Sequence, residues 1–162
     1  MKNQKVLFVT QGAMIAALYV VLTLFANSLG LSSYAIQVRF SEALTILPFF
    51  TAAAIPGLYV GCILANLLAG GLILDVIFGS LATLLGALGT CALRKYKWLA
   101  PLPPIVFNVL IIPFILAFVY HFEGSIPYFM ATVGIGEIIS CGLMGMSLLH
   151  ILQHYRKILP WN

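Results

Sequence analysis

The stretch that decides the fold is Val6–Ala26, which reads VLFVTQGAMIAALYVVLTLFA and contains no charged residue. A helix needs about 20 mostly apolar residues to cross the hydrocarbon core of a bilayer. This run is longer than the apolar core of a signal peptide, and no small-residue cleavage site is evident after it. We therefore interpret it as a retained first membrane span, preceded by the basic residues Lys2 and Lys5.

The composition of the whole chain is that of an integral membrane protein. Its 162 residues are 62% hydrophobic and only 7% charged, which exceeds what the core of a soluble domain requires. The net charge of +4 does not indicate nucleic acid as a partner, because the basic residues lie at the ends of apolar stretches. The cysteines are widely spaced inside apolar runs, so the sequence predicts no disulfide framework, no metal and no cofactor.

Working outward from the first span, the chain divides into six apolar segments. They lie near residues 6–27, 39–55, 57–73, 76–93, 101–121 and 126–152. With six spans, both termini share a side with the basic residues at 94–97, and by the positive-inside rule that side is the cytoplasm. The sequence thus predicts an all-α polytopic membrane protein, a six-transmembrane-helix bundle of one domain over residues 1–162, with both termini cytoplasmic. The loops at 28–38, 74–76 and 121–126 are then external.

Three of the four acidic residues, Glu42, Asp75 and Glu137, lie within or beside predicted spans. An ionisable group there costs about 2.5–3.5 kcal/mol on insertion scales, so each needs a partner, water or a ligand. Glu137 is the sharpest candidate, because it lies near the middle of the last span with no cation within a helical turn. We favour a ligand-binding role for it over an interhelical hydrogen bond. Asp75 is interpreted either as a ligand contact or as a solvated helix cap.

Arg39 and Glu42 are three residues apart, so on a helix they would share a face. The spacing predicts either an ion pair at the mouth of the second span or a pair of ligand contacts. Pro48 is expected to bend that helix just below Glu42. Asn108 lies in the fifth span beside backbone loosened by Pro113, and its amide suits a flat, hydrogen-bonding heterocycle.

The first span also carries small residues at helical spacing. Gly12 with Ala16, and Ala13 with Ala17, form overlapping small-xxx-small pairs, which let another helix approach backbone to backbone. We interpret them as a docking face. The spacing does not decide whether the partner is a helix of this chain or another protein.

Catalytic motifs are missing from the sequence. It has no GxxxxGK[ST] phosphate loop, no HExxH and no GxSxG, so ATP hydrolysis, zinc proteolysis and serine hydrolysis lack their parts. The sequence predicts that the protein is not an enzyme, and that energy for any pumping comes from elsewhere.

Three strings resemble the QueT family, the substrate-binding (S) components of energy-coupling factor transporters for queuosine precursors. They are Val38–Pro48 (VRFSEALTILP), Ala54–Cys62 (AIPGLYVGC) and Gly134–Glu137 (GIGE). The resemblance implies a multi-pass S-component domain over the whole chain, in the bacterial plasma membrane, that captures its substrate outside. The loop Asn27–Val38 would cover the pocket. Delivery inward would need a transmembrane coupling subunit and two ATPase subunits, with Ala13 and Ala17 contacting the coupling subunit.

The resemblance also implies a ligand, a 7-deazaguanine in its aminomethyl, nitrile or queuine form. Glu137 would accept hydrogen bonds from its guanine-like edge, assisted by Asn108. A cationic aminomethyl group would be held by Glu42 or Asp75, near Arg39. The aromatic residues offering a stacking surface would be Phe40, Tyr34 or Phe49.

Two other functions fit the same residues. The chain could be an S component for another vitamin, since pocket residues change more readily than the scaffold. It could also be an autonomous secondary transporter driven by protonation of Glu137 or Asp75. The lack of a clear inverted repeat in the sequence weighs against the second alternative.

Overall fold

The structure, a computed structural model, describes residues 2–31 and 37–155, and these residues form helices and no strands. The predicted all-α class is thereby confirmed. In chain order the elements are α1 (Lys2–Ser28), a 3₁₀ helix (Phe40–Phe49), α2 (Ala54–Leu68), α3 (Ile73–Ala92), a short 3₁₀ turn (Lys97–Leu99), α4 (Leu102–Phe118), α5 (Ile126–Glu137), a π helix (Ile138–Met144) and α6 (Gly145–His154). The last three follow one another without a break.

Four helical segments of the described residues are long and apolar enough to cross a membrane. They are Asn3–Ser28, Ile73–Ala92, Lys97–Phe118 and Ile126–His154. The second and third predicted spans correspond to shorter helices, Phe40–Phe49 and Ala54–Leu68. A 3₁₀ helix of that length covers about 20 Å and the α-helix about 22 Å, against a hydrocarbon thickness of about 30 Å. The number of six spans and the side of the termini stay predictions, and the basic pair 156–157 lies outside the described residues.

The second predicted span differs from the expected α-helix. It is a 3₁₀ helix that ends at Phe49, where the Phe50 N–H bonds to the Leu47 carbonyl at 2.9 Å. Pro48 lies inside it and has no N–H to donate, which is compatible with this short, tightly wound segment. Arg39 precedes the helix in an extended conformation, with φ −112° and ψ 110°. The prediction that Arg39 and Glu42 share a helical face is therefore wrong.

The turn between α2 and α3 lies earlier than predicted. Gly70 adopts a positive φ of 78°, and the Gly71 N–H bonds back to the Asn66 carbonyl at 2.8 Å, which ends α2. The predicted loop at 74–76 consequently lies inside α3, and Asp75 is in the first turn of that helix. The sequence places its weakest break between Gly70 and Asp75, a range that includes this turn.

Small residues hold α1 against α2 at backbone distance. A Cβ atom on Gly57 would lie 2.6 Å from the Gly12 carbonyl oxygen, and one on Gly61 would lie 3.0 Å from the Ala16 Cα. Gly12 and Ala16 are buried in this contact. One of the two small-residue pairs on α1 therefore packs inside the chain.

The other small-residue pair on α1 points away from the bundle. Ala13 and Ala17 are both exposed, together with the large neighbours Met14 and Leu18. Their face contacts no other helix of the described chain as closely as the face of Gly12 does. It is open to lipid or to a partner.

Candidate functional site

A cavity of about 360 Å³ lies at one end of the bundle, within the size range of small-molecule sites. It is surrounded by the end of α1, the α2–α3 turn, the first turn of α3 and the end of α4. Its polar walls are formed by Thr23, Gln37, Arg39, Asn66, Asp75 and Tyr120, and its apolar walls by Ile112, Ile115 and Leu116. The described parts of the three segments predicted to be external loops contribute Gln37, Asp75 and Phe122 to this cavity.

A second, much smaller cavity of about 10 Å³ adjoins the first. Gln37, Arg39 and Ile112 line both cavities, and the small one is completed by Asn108, Val133 and Glu137. Its volume is about that of a single water probe, so it is closed to a larger ligand in this conformation. Glu137 is reached from the main cavity past the side chains of Gln37 and Arg39.

The structure brings together the two predicted carboxylates, Glu42 and Glu137, which are 2% and 8% exposed. The Tyr19 hydroxyl donates to Glu42 Oε1 at 2.5 Å, and the Cys141 thiol donates to Glu137 Oε2 at 3.1 Å. The Asn108 amide interacts with both carboxylates. Among the described residues, Glu42 Oε2 has no well-formed hydrogen bond, which is costly for a buried carboxylate oxygen.

The carboxylates and the thiol also meet the geometric requirement of a metal site. One ligand atom from each of Glu42, Glu137 and Cys141 lies within 4.8 Å of the others. The thiol is already engaged, because it donates to Glu137 and lies 3.5 Å from both the Glu42 carbonyl and the Thr45 hydroxyl. A protonated thiol is not a metal ligand. The cluster is accounted for by hydrogen bonds, and the predicted lack of a metal stays a prediction.

Glu137 lies at the junction of α5 and the π helix Ile138–Met144. π-helical turns are rare and are found mostly at functional sites. Ser140, in this π helix, faces the segment that precedes the 3₁₀ helix. Its hydroxyl accepts a hydrogen bond of 3.2 Å from the backbone N–H of Arg39. Gly136 lets the backbone at Gln37 pass close to α5, because a Cβ atom at position 136 would collide with the Gln37 carbonyl oxygen.

Asp75 forms the opposite polar wall of the main cavity. It is 8% exposed, and Asp75 Oδ2 accepts a hydrogen bond of 2.8 Å from the Tyr120 hydroxyl. The alternative of a solvated helix cap is therefore wrong. Partial burial, and then the bond to Asp75, raises the pKa of the Tyr120 phenol, which keeps it a donor at neutral pH.

Arg39 supplies positive charge to both cavities. Its guanidinium is 3.5 Å from Gln37 Oε1, a long contact that leaves it free to reorient. Within the described residues no ion pair joins Arg39 to Glu42, in contrast to one of the two predicted alternatives.

Two of the three predicted aromatic residues, Phe40 and Phe49, lie elsewhere. Phe40 packs on Phe25 and Phe49 on Phe50, with ring centroids 6.0 and 5.2 Å apart, and neither lines the cavity. Tyr34 lies outside the described residues. Among the described residues, the aromatic side chains that line the cavity are those of Tyr120 and Phe122, whose rings stack with centroids 5.7 Å apart.

Sequence reasoning missed several side chains of the site, chiefly Tyr19, Gln37, Tyr120 and Cys141. Tyr19 had a partial signal, since it lies three residues after Ala16 on one of the two small-residue stripes of α1, but the sequence did not show which stripe faces inward. The others became visible only when the helices were packed together.

Comparison with known proteins agrees with the resemblance noted in the sequence. Residues 9–154 match the family model of the QueT transporter. A protein described as queuosine precursor transporter QueT, from Lactococcus lactis subsp. cremoris, is 31% identical over 151 residues, which cover 86% of this chain and 89% of that protein. No solved structure matches the chain. Because the family match extends over nearly all of its length, the chain belongs to the QueT transporter family and is a membrane transport protein, not an enzyme.

Proposed function

We propose that the protein is the S component of an energy-coupling factor importer in the bacterial plasma membrane. It captures a queuosine precursor, a 7-deazaguanine, outside the cell and delivers it inward together with a transmembrane coupling subunit and two ATPase subunits. The name of the Lactococcus relative supports the substrate class. The observation that carries the proposal is the polar cavity of about 360 Å³ that leads to the buried pair of Glu137 and Asn108.

The hydrogen-bonding pattern of the ligand matches the residues at the inner end of the cavity. A 7-deazaguanine presents a ring N–H and an exocyclic amine beside a carbonyl oxygen on one edge. The Glu137 carboxylate accepts from the two donors, whereas the amide of Asn108 or the guanidinium of Arg39 donates to the carbonyl. Entry of this edge requires Gln37 and Arg39 to move aside, and their 3.5 Å contact offers little resistance.

Glu42 supports this arrangement from behind. Its Oε1 is held by Tyr19, and its Oε2 lacks a partner next to Asn108. The Asn108 amide nitrogen carries two N–H donors, so one can donate to the carbonyl of the ligand while the other remains available to the Glu42 carboxylate. The pair thereby gives Asn108 a defined orientation, which a single amide in an apolar span would lack.

Energy for transport comes from the partner ATPases, because this sequence has no phosphate loop. The exposed Ala13 and Ala17 offer a helix of the coupling subunit a close approach. Gly12 and Ala16 are already used by α2. Docking is therefore proposed for the outward pair alone.

Calorimetric titration of the detergent-purified chain tests the substrate. We expect selective binding of 7-deazaguanines over guanine, thiamine and riboflavin without any partner subunit. Glu137→Gln replaces one acceptor by a donor and should weaken binding by about 10- to 100-fold. Glu123→Gln, in an exposed loop, is the matched control and should bind as the wild type does. Tight binding of another vitamin instead would keep the S-component architecture and overturn the substrate.

The paired carboxylates Glu42 and Glu137 are the observation that favours the alternative, a proton-coupled secondary transporter. Uptake of the labelled base in a host that lacks the ATPase module separates the two functions. An S component alone should give no uptake there. Persistent uptake that collapses with the proton gradient would establish the alternative.

A further inference from the structure

We propose that Asp75 and Tyr120 form a subsite for a protonated amine on the ligand, and that Asp75 makes the transporter prefer a cationic ligand over a neutral one with the same ring. The subsite rests on the proposed function, since the amine is taken to be a substituent of the transported base. It lies in the wall of the main cavity, formed by the first turn of α3 and the chain just after α4.

The charges of the cavity lead to this assignment. Among the described residues that line it, Asp75 is the one anion and Arg39 the one cation. In the part of the chain that the structure describes, no ion pair joins them, and the guanidinium lies against Gln37 instead. The N-terminus of α3 favours a negative charge at Asp75 but supplies only a partial positive charge. Arg39 therefore attracts Asp75 only from a distance, and among the described residues no cation lies against this buried carboxylate.

The immediate surroundings of Asp75 suit an ammonium group. Tyr120 donates to Oδ2 and accepts from the Leu72 N–H at 3.4 Å, so the phenol holds the carboxylate in place. Gly71 and Gly79 lie beside the two carboxylate oxygens and have no side chains to cover them. A Cβ atom at either position would be 3.4 Å from one of these oxygens. The stacked rings of Tyr120 and Phe122 add an aromatic surface that attracts cations.

The position of the subsite also favours Asp75 over Glu42 as the residue that binds the amine. Glu42 does not line the main cavity and lies behind Asn108, whereas Asp75 faces the cavity directly. Glu137 lines the small inner cavity, and Arg39 lines both. A base whose polar edge binds at Glu137 thus has room for its substituent in the main cavity, which Asp75 borders.

Two ligands that share the 7-deazaguanine ring and differ in the substituent test the subsite: the aminomethyl base, which is cationic, and the nitrile base, which is neutral. We expect the wild type to bind the aminomethyl base about 10- to 100-fold more tightly, the range for hydrogen bonds to a charged group. Asp75→Asn keeps an acceptor for Tyr120 and removes the charge. It should bring the ratio of the two dissociation constants close to one, with the nitrile bound as before.

Two further variants separate this role from a structural one. Asp75→Glu keeps the charge and should keep the preference, whereas Tyr120→Phe removes the donor that holds the carboxylate in place and should lower the ratio without abolishing it. An unchanged ratio in Asp75→Asn, or equal weakening of both ligands, would overturn the subsite and leave the proposed function standing. So would wild-type protein that binds the two bases equally. Folded wild-type protein that bound neither base would overturn the proposed function and the subsite together.

Discussion

The inward face of α1 makes two different kinds of contact along its length. In the first half, Gly12 and Ala16 lie against Gly57 and Gly61 with no space for a further carbon atom. Beside this contact the Thr51 hydroxyl donates to Gln11 Oε1 at 3.1 Å, but the four small residues themselves bring no polar side chain into it. This half is held by shape, through dispersion contacts between two backbones.

In the second half, the same face carries hydroxyl groups. Tyr19 donates to Glu42, and the hydroxyls of Thr23 and Ser41 lie 2.8 Å apart. All four side chains are buried. This half is held by hydrogen bonds, and it borders the main cavity.

The difference shows which changes each half tolerates. Where two backbones touch, an added carbon atom must push the helices apart, because neither backbone can rotate away. Where hydroxyls and a carboxylate meet, the volume is less critical, but every lost donor leaves a buried acceptor without a partner. Added volume should therefore damage the first half, and a deleted hydroxyl the second.

The largest expected effect follows from adding volume to the first half. Gly57→Leu should lower the free energy of unfolding by at least about 3 kcal/mol, the upper end for overpacking, because its Cβ alone would meet the Gly12 carbonyl oxygen at 2.6 Å. The apparent melting temperature of the purified chain in detergent measures this. Gly134→Ala is the matched control, since its Cβ would have only an ordinary 3.5 Å contact with Val109. A loss of stability as large in the control would contradict the comparison.

A smaller effect is expected from removing a hydroxyl in the second half. Tyr19→Phe leaves Glu42 Oε1 without its donor beside an Oε2 that already lacks one, and should cost about 1–3 kcal/mol. Tyr128→Phe, on a half-exposed tyrosine, should change stability by less than about 0.5 kcal/mol. The same melting experiment compares the two. If Tyr19→Phe were as stable as the wild type, the hydrogen bond to Glu42 would not contribute to holding this half together.

The sequence predicted much of this site because its chemistry is unusual for a membrane span. The side chains of Glu42, Asn108 and Glu137 are polar and lie in apolar segments. Because a buried polar group is costly without a hydrogen-bond partner, such groups are expected to lie together. The structure indeed brings them together. Asp75 was found in the same way and lies across the cavity.

The backbone geometry was less predictable, for a physical reason. An α-helix, a 3₁₀ helix and a π helix differ in how many residues separate the donor and the acceptor of each backbone hydrogen bond. Apolar residues are compatible with all three. Pro48 marked a disturbance but not the 3₁₀ conformation of the whole segment. The residues after Glu137 contain no pattern that predicts the π helix.

The rotation of α1 about its own axis was also beyond the sequence. Gly12 and Ala16 have the same spacing as Ala13 and Ala17, and the two pairs differ only by the 100° that separates neighbouring helical residues. Which pair points inward depends on α2, whose Gly57 and Gly61 repeat the same spacing.

The smallest effect on stability is expected on the outward face, where the largest effect on transport should occur. Ala13→Trp combined with Ala17→Trp adds volume that no other helix of the described chain contacts, so unfolding should change by less than about 0.5 kcal/mol and ligand binding should be unaltered. Uptake by the complete transporter should nevertheless be lost, because two indoles prevent a partner helix from reaching the backbone, as α2 does on the inward face. Val106→Trp with Leu110→Trp, an exposed pair of equal spacing on α4, should leave uptake intact. Lost uptake in both double variants would mean that bulk on any lipid-facing surface blocks transport, and lost ligand binding in the α1 variant would show that this face also serves the internal fold.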